Sequence, residues 1–138
     1  MQEPSSADLD AIAARLVDAV VRDATTSAAA ASFLLRHYLA TGRDDLREPL
    51  GLALAHALAL AAEETSARGR AAWLTLFVDA SAIADDDRIA AAARALVAAL
   101  RAEGAPVRYT EYAGVGHASW TRAYDEAALW EWLFARPC

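Results

Sequence analysis

His117 is the residue of this chain whose type and setting could do chemistry. It follows Gly114 and Gly116 in the run VRYTEYAGVGHASW, residues 107–120, where an alternating segment leads into a glycine-flanked loop. A catalytic imidazole must be rigidly placed, with one nitrogen free to take a nucleophile's proton and the other held by an acceptor, usually a carboxylate. The chemistry open to His117 is therefore general base catalysis. A nucleophile for it is not evident. None of Ser5, Ser6, Ser27, Ser32, Ser66 or Ser81 has glycine flanks or a preceding strand, and Ser119 is only two residues away from His117.

The other two histidines, His37 and His56, fall in helical stretches. Neither has a His, Cys or carboxylate at i+4, the spacing that would put two metal ligands on one helix face. No metal site and no cofactor-binding motif is expected. The formal charge of −6 opposes phosphate binding, which needs a concentrated basic surface, so no nucleic-acid partner is expected. Cys138 is the only cysteine, which leaves no intrachain disulfide. The polar start of the chain lacks the basic and apolar regions of a signal peptide. The densest apolar stretch, residues 50–62, is shorter than the roughly 20 residues that span a bilayer. These features predict a cytoplasmic protein with no membrane association.

A chain of 138 residues fits one compact domain. Ser5 and Asp8 form a capping-box pattern, and Leu9, Ile12, Ala13, Leu16, Val17 and Val20 recur at helical spacing, predicting a helix over about 7–22. A second helix over about 26–40 ends at Gly42. A third, capped by Asp44 or Asp45, tolerates Pro49 near its first turn and runs to about Glu64. The triplet Asp85, Asp86 and Asp87 caps a helix with Ile89, Ala92, Ala93, Leu96, Val97 and Leu100 on one stripe, stopped by Gly104 and Pro106.

Two segments have a strand-like makeup. Val107 to Tyr112 alternates and reads as a strand, and WLTLFV at 73–78 fits either a helix or a short buried strand. A lone strand would leave its backbone groups unpaired, so residues 107–112 need 74–78 beside them in a βαβ unit. A last helix over about 124–134 offers Leu129, Trp130, Leu133 and Phe134 for inward packing. The fold class is mainly α: helical hairpins or a bundle over 7–103, then a strand, loop and helix over 104–138.

The stretch from about Ala95 to Phe134 resembles the C-terminal end of α/β-hydrolase-fold esterases and peptidases of the dienelactone hydrolase and prolyl oligopeptidase kind. These end in a helix, a strand, a G-x-G-H loop and a terminal helix. The resemblance implies His117 as the catalytic histidine and Asp85, 32 residues before it, as the orienting acid, with Asp86 and Asp87 close seconds. It also implies an alternative fold class, α/β, in which 74–134 is a βαβα piece of a hydrolase sheet. No G-x-S-x-G elbow is present, and Val78-Asp79-Ala80-Ser81 stands where the family has a His-Gly pair. The stretch 37–50, HYLATGRDDLREPL, is similar to helical hairpins of (α/α) toroid proteins.

Two functions follow as expectations. One is an incomplete hydrolase-like protein, inactive on esters or peptides by itself for want of a nucleophile. The other is a noncatalytic helical interaction or scaffold module. An exposed strand edge or apolar helix face would favour self-association or a partner chain.

Overall fold

The structure, a computed structural model, describes residues 2–112 and 119–135. Among these residues it is mainly helical, 75% helix in seven α-helices with no strand. The chain divides into two compact units, Met1–Val107 and Arg108–Cys138.

The first unit holds α1 (Ser6–Asp23), α2 (Ala28–Thr41), a 3-10 turn (Asp44–Leu46), α3 (Arg47–Ala62), α4 (Ala67–Ser81) and α5 (Asp87–Ala102). Their starts follow local chemistry. The Ser5 hydroxyl accepts from the Asp8 amide, and the Asp8 carboxylate accepts from the Ser5 amide at 2.9 Å, completing a capping box. Ser27, Ser66 and Asp86 cap α2, α4 and α5 with a single side-chain bond each, accepting from the Ala30, Gly69 and Arg88 amides. Gly42 ends α2 at φ +66°, a left-handed conformation that costs glycine nothing.

The core lies where α2, α3, α4 and α5 meet. Leu34 and Leu35 of α2, Ala53 and Ala57 of α3, Leu76, Phe77 and Ala80 of α4, and Leu96, Val97 and Leu100 of α5 are buried. Alanines at the contact positions let the helix axes approach closely, so the few large side chains fill the remaining space.

The segment 73–78 is helical, well inside α4. Trp73, Leu76, Phe77 and Ala80 are buried at i, i+3, i+4 and i+7, whereas Val78 stands exposed. One helical stripe against α5 and α2 therefore outweighs the β-preferring composition, because tertiary burial contributes more than propensity. This removes the neighbour with which a strand at 107–112 was expected to pair. That segment is not a strand, and Val107 instead donates its amide to the Ala105 carbonyl at 2.9 Å.

The βαβα alternative and the resemblance to an α/β-hydrolase tail are thereby corrected, along with the hydrolase and esterase reading they carried. No strand edge occurs among the described residues.

The second unit contains α6 (Ser119–Tyr124) and α7 (Ala127–Phe134). None of the α7 side chains is buried. Leu129 and Trp132 are half-buried, and Trp130, Leu133 and Phe134 are exposed, contrary to the inward packing expected of this helix. Among the described residues no helix is long and apolar enough to cross a membrane.

Candidate functional site

Within the acidic triplet it is Asp86 that caps α5. Asp85 is exposed in the turn before α5. The Asp86 carboxylate accepts from the Arg88 amide at 2.9 Å and grips the Arg88 guanidinium, which together with the free amides of the first turn holds it below the usual carboxylate range. Asp87 is the first residue of α5. His117 lies outside the described residues.

The cluster that most resembles catalytic machinery lies elsewhere. His37 of α2 is the only buried polar residue among those described, 8% exposed, with its ring stacked on Phe33 at 5.6 Å. Its Nε2 is 3.0 Å from Oδ1 of Asp10 on α1. The same oxygen accepts from Nη1 of Arg43 at 2.9 Å, and Arg43 is gripped from its other side by both carboxylate oxygens of Asp45. The His37 hydrogen bond, and then Arg43, hold the Asp10 carboxyl below its ordinary range. The Asp45 carboxyl is lowered by Arg43 in turn.

A carboxylate orienting a histidine supplies two of the three members of a catalytic triad, but among the described residues no nucleophile is seen to complete it. The nearby hydroxyl of Thr41 donates to the His37 carbonyl at 2.7 Å. What the chain of contacts does is tie α1, α2 and the 3-10 turn together. Sequence spacing did not disclose it, because Asp10 and His37 are 27 residues apart. The one local signal was a histidine on the apolar side of α2.

A second polar knot fixes the turn from α3 to α4. The Glu64 carboxylate accepts from the Ser66 amide at 3.1 Å, the Ser66 hydroxyl at 2.9 Å and Nε1 of Trp73 at 3.3 Å. These bonds, led by that of Ser66, keep its carboxyl low. Arg70 donates to the Glu64 carbonyl and pairs with Glu103 beyond the end of α5.

Gly69 sits under this carboxylate, and a Cβ there would fall 2.3 Å from Glu64 Cδ. Gly69→Ala is therefore expected to lower the melting temperature by displacing Glu64 from Ser66 and Trp73. In a Glu64→Ala background the same change should instead stabilise by about 0.5–1 kcal/mol, the helix-propensity gain of alanine over glycine. Thermal melts of the two pairs check this; the same sign in both backgrounds would show that Glu64 is not the obstacle.

In the second unit, the Arg122 guanidinium lies 5.1 Å from the Tyr112 ring centroid. Burial, then a hydrogen bond with Glu126, raises the Tyr112 hydroxyl above its ordinary range. Arg108 donates to the Ala128 carbonyl at 3.2 Å. Tyr124, Trp130 and Phe134 form a run of stacked rings, with centroids 5.8 and 6.2 Å apart. Trp130 is held in place by its Nε1, which donates to the Tyr124 carbonyl at 2.8 Å.

No group of three or more His, Cys, Asp or Glu residues able to hold a metal ion occurs among the described residues. Nor does any buried side-chain nitrogen or oxygen among them lack a hydrogen-bond partner. Comparison with protein-family models, with curated proteins and with solved structures gave no match to this chain. The similarity of residues 37–50 to (α/α) toroid hairpins finds no support there either.

Proposed function

We propose that this chain is a noncatalytic helical interaction module. The observation that carries the reading is the exposed aromatic run of α6 and α7, with Tyr124 60%, Trp130 39%, Leu133 47% and Phe134 79% accessible. Contiguous apolar surface of this kind costs solubility when left bare, and on folded proteins it marks contact sites. Supporting it, the polar clusters among the described residues are engaged in structural bonds: Asp10 with His37 and Arg43, Asp86 with Arg88, Glu64 with Ser66 and Trp73.

The test is exposure of the purified chain to a serine-directed fluorophosphonate probe and to a short-chain nitrophenyl ester. Neither labelling nor turnover above buffer is expected. Turnover that disappears in a His117→Ala variant would sink this reading.

A further inference from the structure

We infer that α1 is a strap: it opens and closes as a unit while α2–α5 stay folded, uncovering the faces of α2 and α3 on which it packs. Burial is the first observation. Of the 18 residues of α1 only Ala13 and Val20 are buried. The rest of its apolar stripe, Leu9, Ile12, Leu16 and Val17, is half-buried, and Val21 is exposed. By contrast α4 buries Trp73 and Phe77, and α5 buries Ile89, Leu96, Val97 and Leu100. Stabilisation scales with the apolar area taken from water, so α1 is held by less than α4 and α5 hold each other. Segments that open locally come from this weakly held end of a structure.

The second observation is how α1 is fastened. Among the described residues Asp10 is the one residue of α1 whose side chain bonds to another element, reaching His37 of α2 at 3.0 Å and Arg43 at 2.9 Å. The remaining side-chain bonds of the helix are its own cap and the Asp18–Arg22 pair. The clasp is also open to water, with the Asp10 side chain 47% and that of Arg43 40% exposed. Water can therefore replace both bonds when the clasp parts, which keeps opening reversible.

The joint behind the clasp is strained toward opening. Ala24, which ends α1, is the only non-glycine residue with positive φ among those described, at +48°. An L-residue there brings its Cβ against the backbone, and the strain is held only while the last turn stays wound, with the Thr25 amide on the Ala19 carbonyl at 3.2 Å. Unwinding that turn releases it.

Native-state hydrogen exchange of the full chain in a series of low urea concentrations is the test. Once detached, a single helix of this size protects its amides little. The α1 amides are expected to exchange at least about tenfold faster than the slowest of α4 and α5, and with a weaker dependence on urea, because less surface is exposed. Asp10→Asn should speed α1 exchange about threefold or more by weakening the clasp. Ala24→Gly should slow it about threefold by relieving the joint. Phe77→Leu, a milder change than removal of the ring, should speed exchange in α4 and α5 about fivefold or more and leave α1 unchanged, since Phe77 stays buried whether the strap is open or closed.

An α1 that shares the rate and the urea dependence of α4 and α5 would overturn the inference, because it would then open only with the whole unit. So would Phe77→Leu accelerating α1 as much as α5, or α1 exchange that neither Asp10→Asn nor Ala24→Gly alters. The strap does not depend on the interaction-module reading, and ester turnover bears on that reading alone.

Discussion

Phe77→Ala should lower the stability of the first unit by about 3–5 kcal/mol, the usual cost of emptying a fully buried aromatic site. Phe77 is among the largest completely buried side chains, and its ring stacks on Trp73 at 6.4 Å. It sits on α4, which packs against α5, α2 and α3. The buried alanines of this core, Ala53, Ala57 and Ala80 among them, have no long side chains to swing into a void.

Small domains hold only about 5–15 kcal/mol in total, so the variant loses about a fifth or more of its margin and its melting temperature falls by at least about 12 °C. Val78→Ala is the paired measurement. Val78 is exposed on α4 and should cost no more than about 0.5 kcal/mol. In a strand buried on both faces, positions 77 and 78 would each be costly. Similar losses for the two variants, by urea denaturation, would contradict the helix at 67–81.

Asp10→Asn should destabilise the chain at neutral pH, and the deficit should vanish in acid. One carboxylate oxygen of Asp10 serves both His37 and Arg43, and the amide that replaces it carries no charge for either. The sign of the pH effect follows from the lowered carboxyl. A group whose folded pKa lies below its ordinary 3.8 stabilises the fold fully above that value and loses its contribution as pH falls through the lower folded value. The wild-type stability should therefore drop more steeply below about pH 4 than that of Asp10→Asn, and the two curves should converge.

Asp18→Asn supplies the contrast. Its carboxylate faces Arg22 across 3.7 Å in a pair whose side chains are 64% and 76% exposed, where screening by water leaves little net gain. Chemical denaturation at a series of pH values decides the matter: parallel curves for wild type and Asp10→Asn would show that the carboxylate does not hold α1 to α2.

How much of this was legible in the chain depends on how local the deciding interaction is. The capping box of Ser5 and Asp8 and the stripe Leu9, Ile12, Ala13, Leu16 are complete within a few residues, and α1 runs as that pattern reads. The same holds for α5, whose stripe of Ile89, Ala93, Leu96, Val97 and Leu100 is buried and whose cap is Asp86. Residues 73–78 were not decided locally. Their composition suits a strand and their spacing suits a helix, and which surface awaits them is fixed by α2, α3 and α5. The alternation at 107–112 misled for the complementary reason: period-two polarity makes a strand only where a second strand stands alongside to take its hydrogen bonds.

Asp10 and His37 show the same limit for side-chain chemistry. Nothing in 27 residues of sequence joins them, and only the packing of α1 on α2 brings carboxylate and imidazole to 3.0 Å. The sequence by itself determined the extents of α1, α2, α3 and α5 to within a few residues, because caps, glycine stops and apolar stripes act over one or two turns. The tertiary structure alone decided that 73–78 is helical, that Asp10 anchors His37 and Arg43, and that Trp130 and Phe134 of α7 stand exposed. Each of those depends on which surfaces meet, and burial and desolvation, which fix that choice, belong to pairs of elements and not to any single stretch of chain.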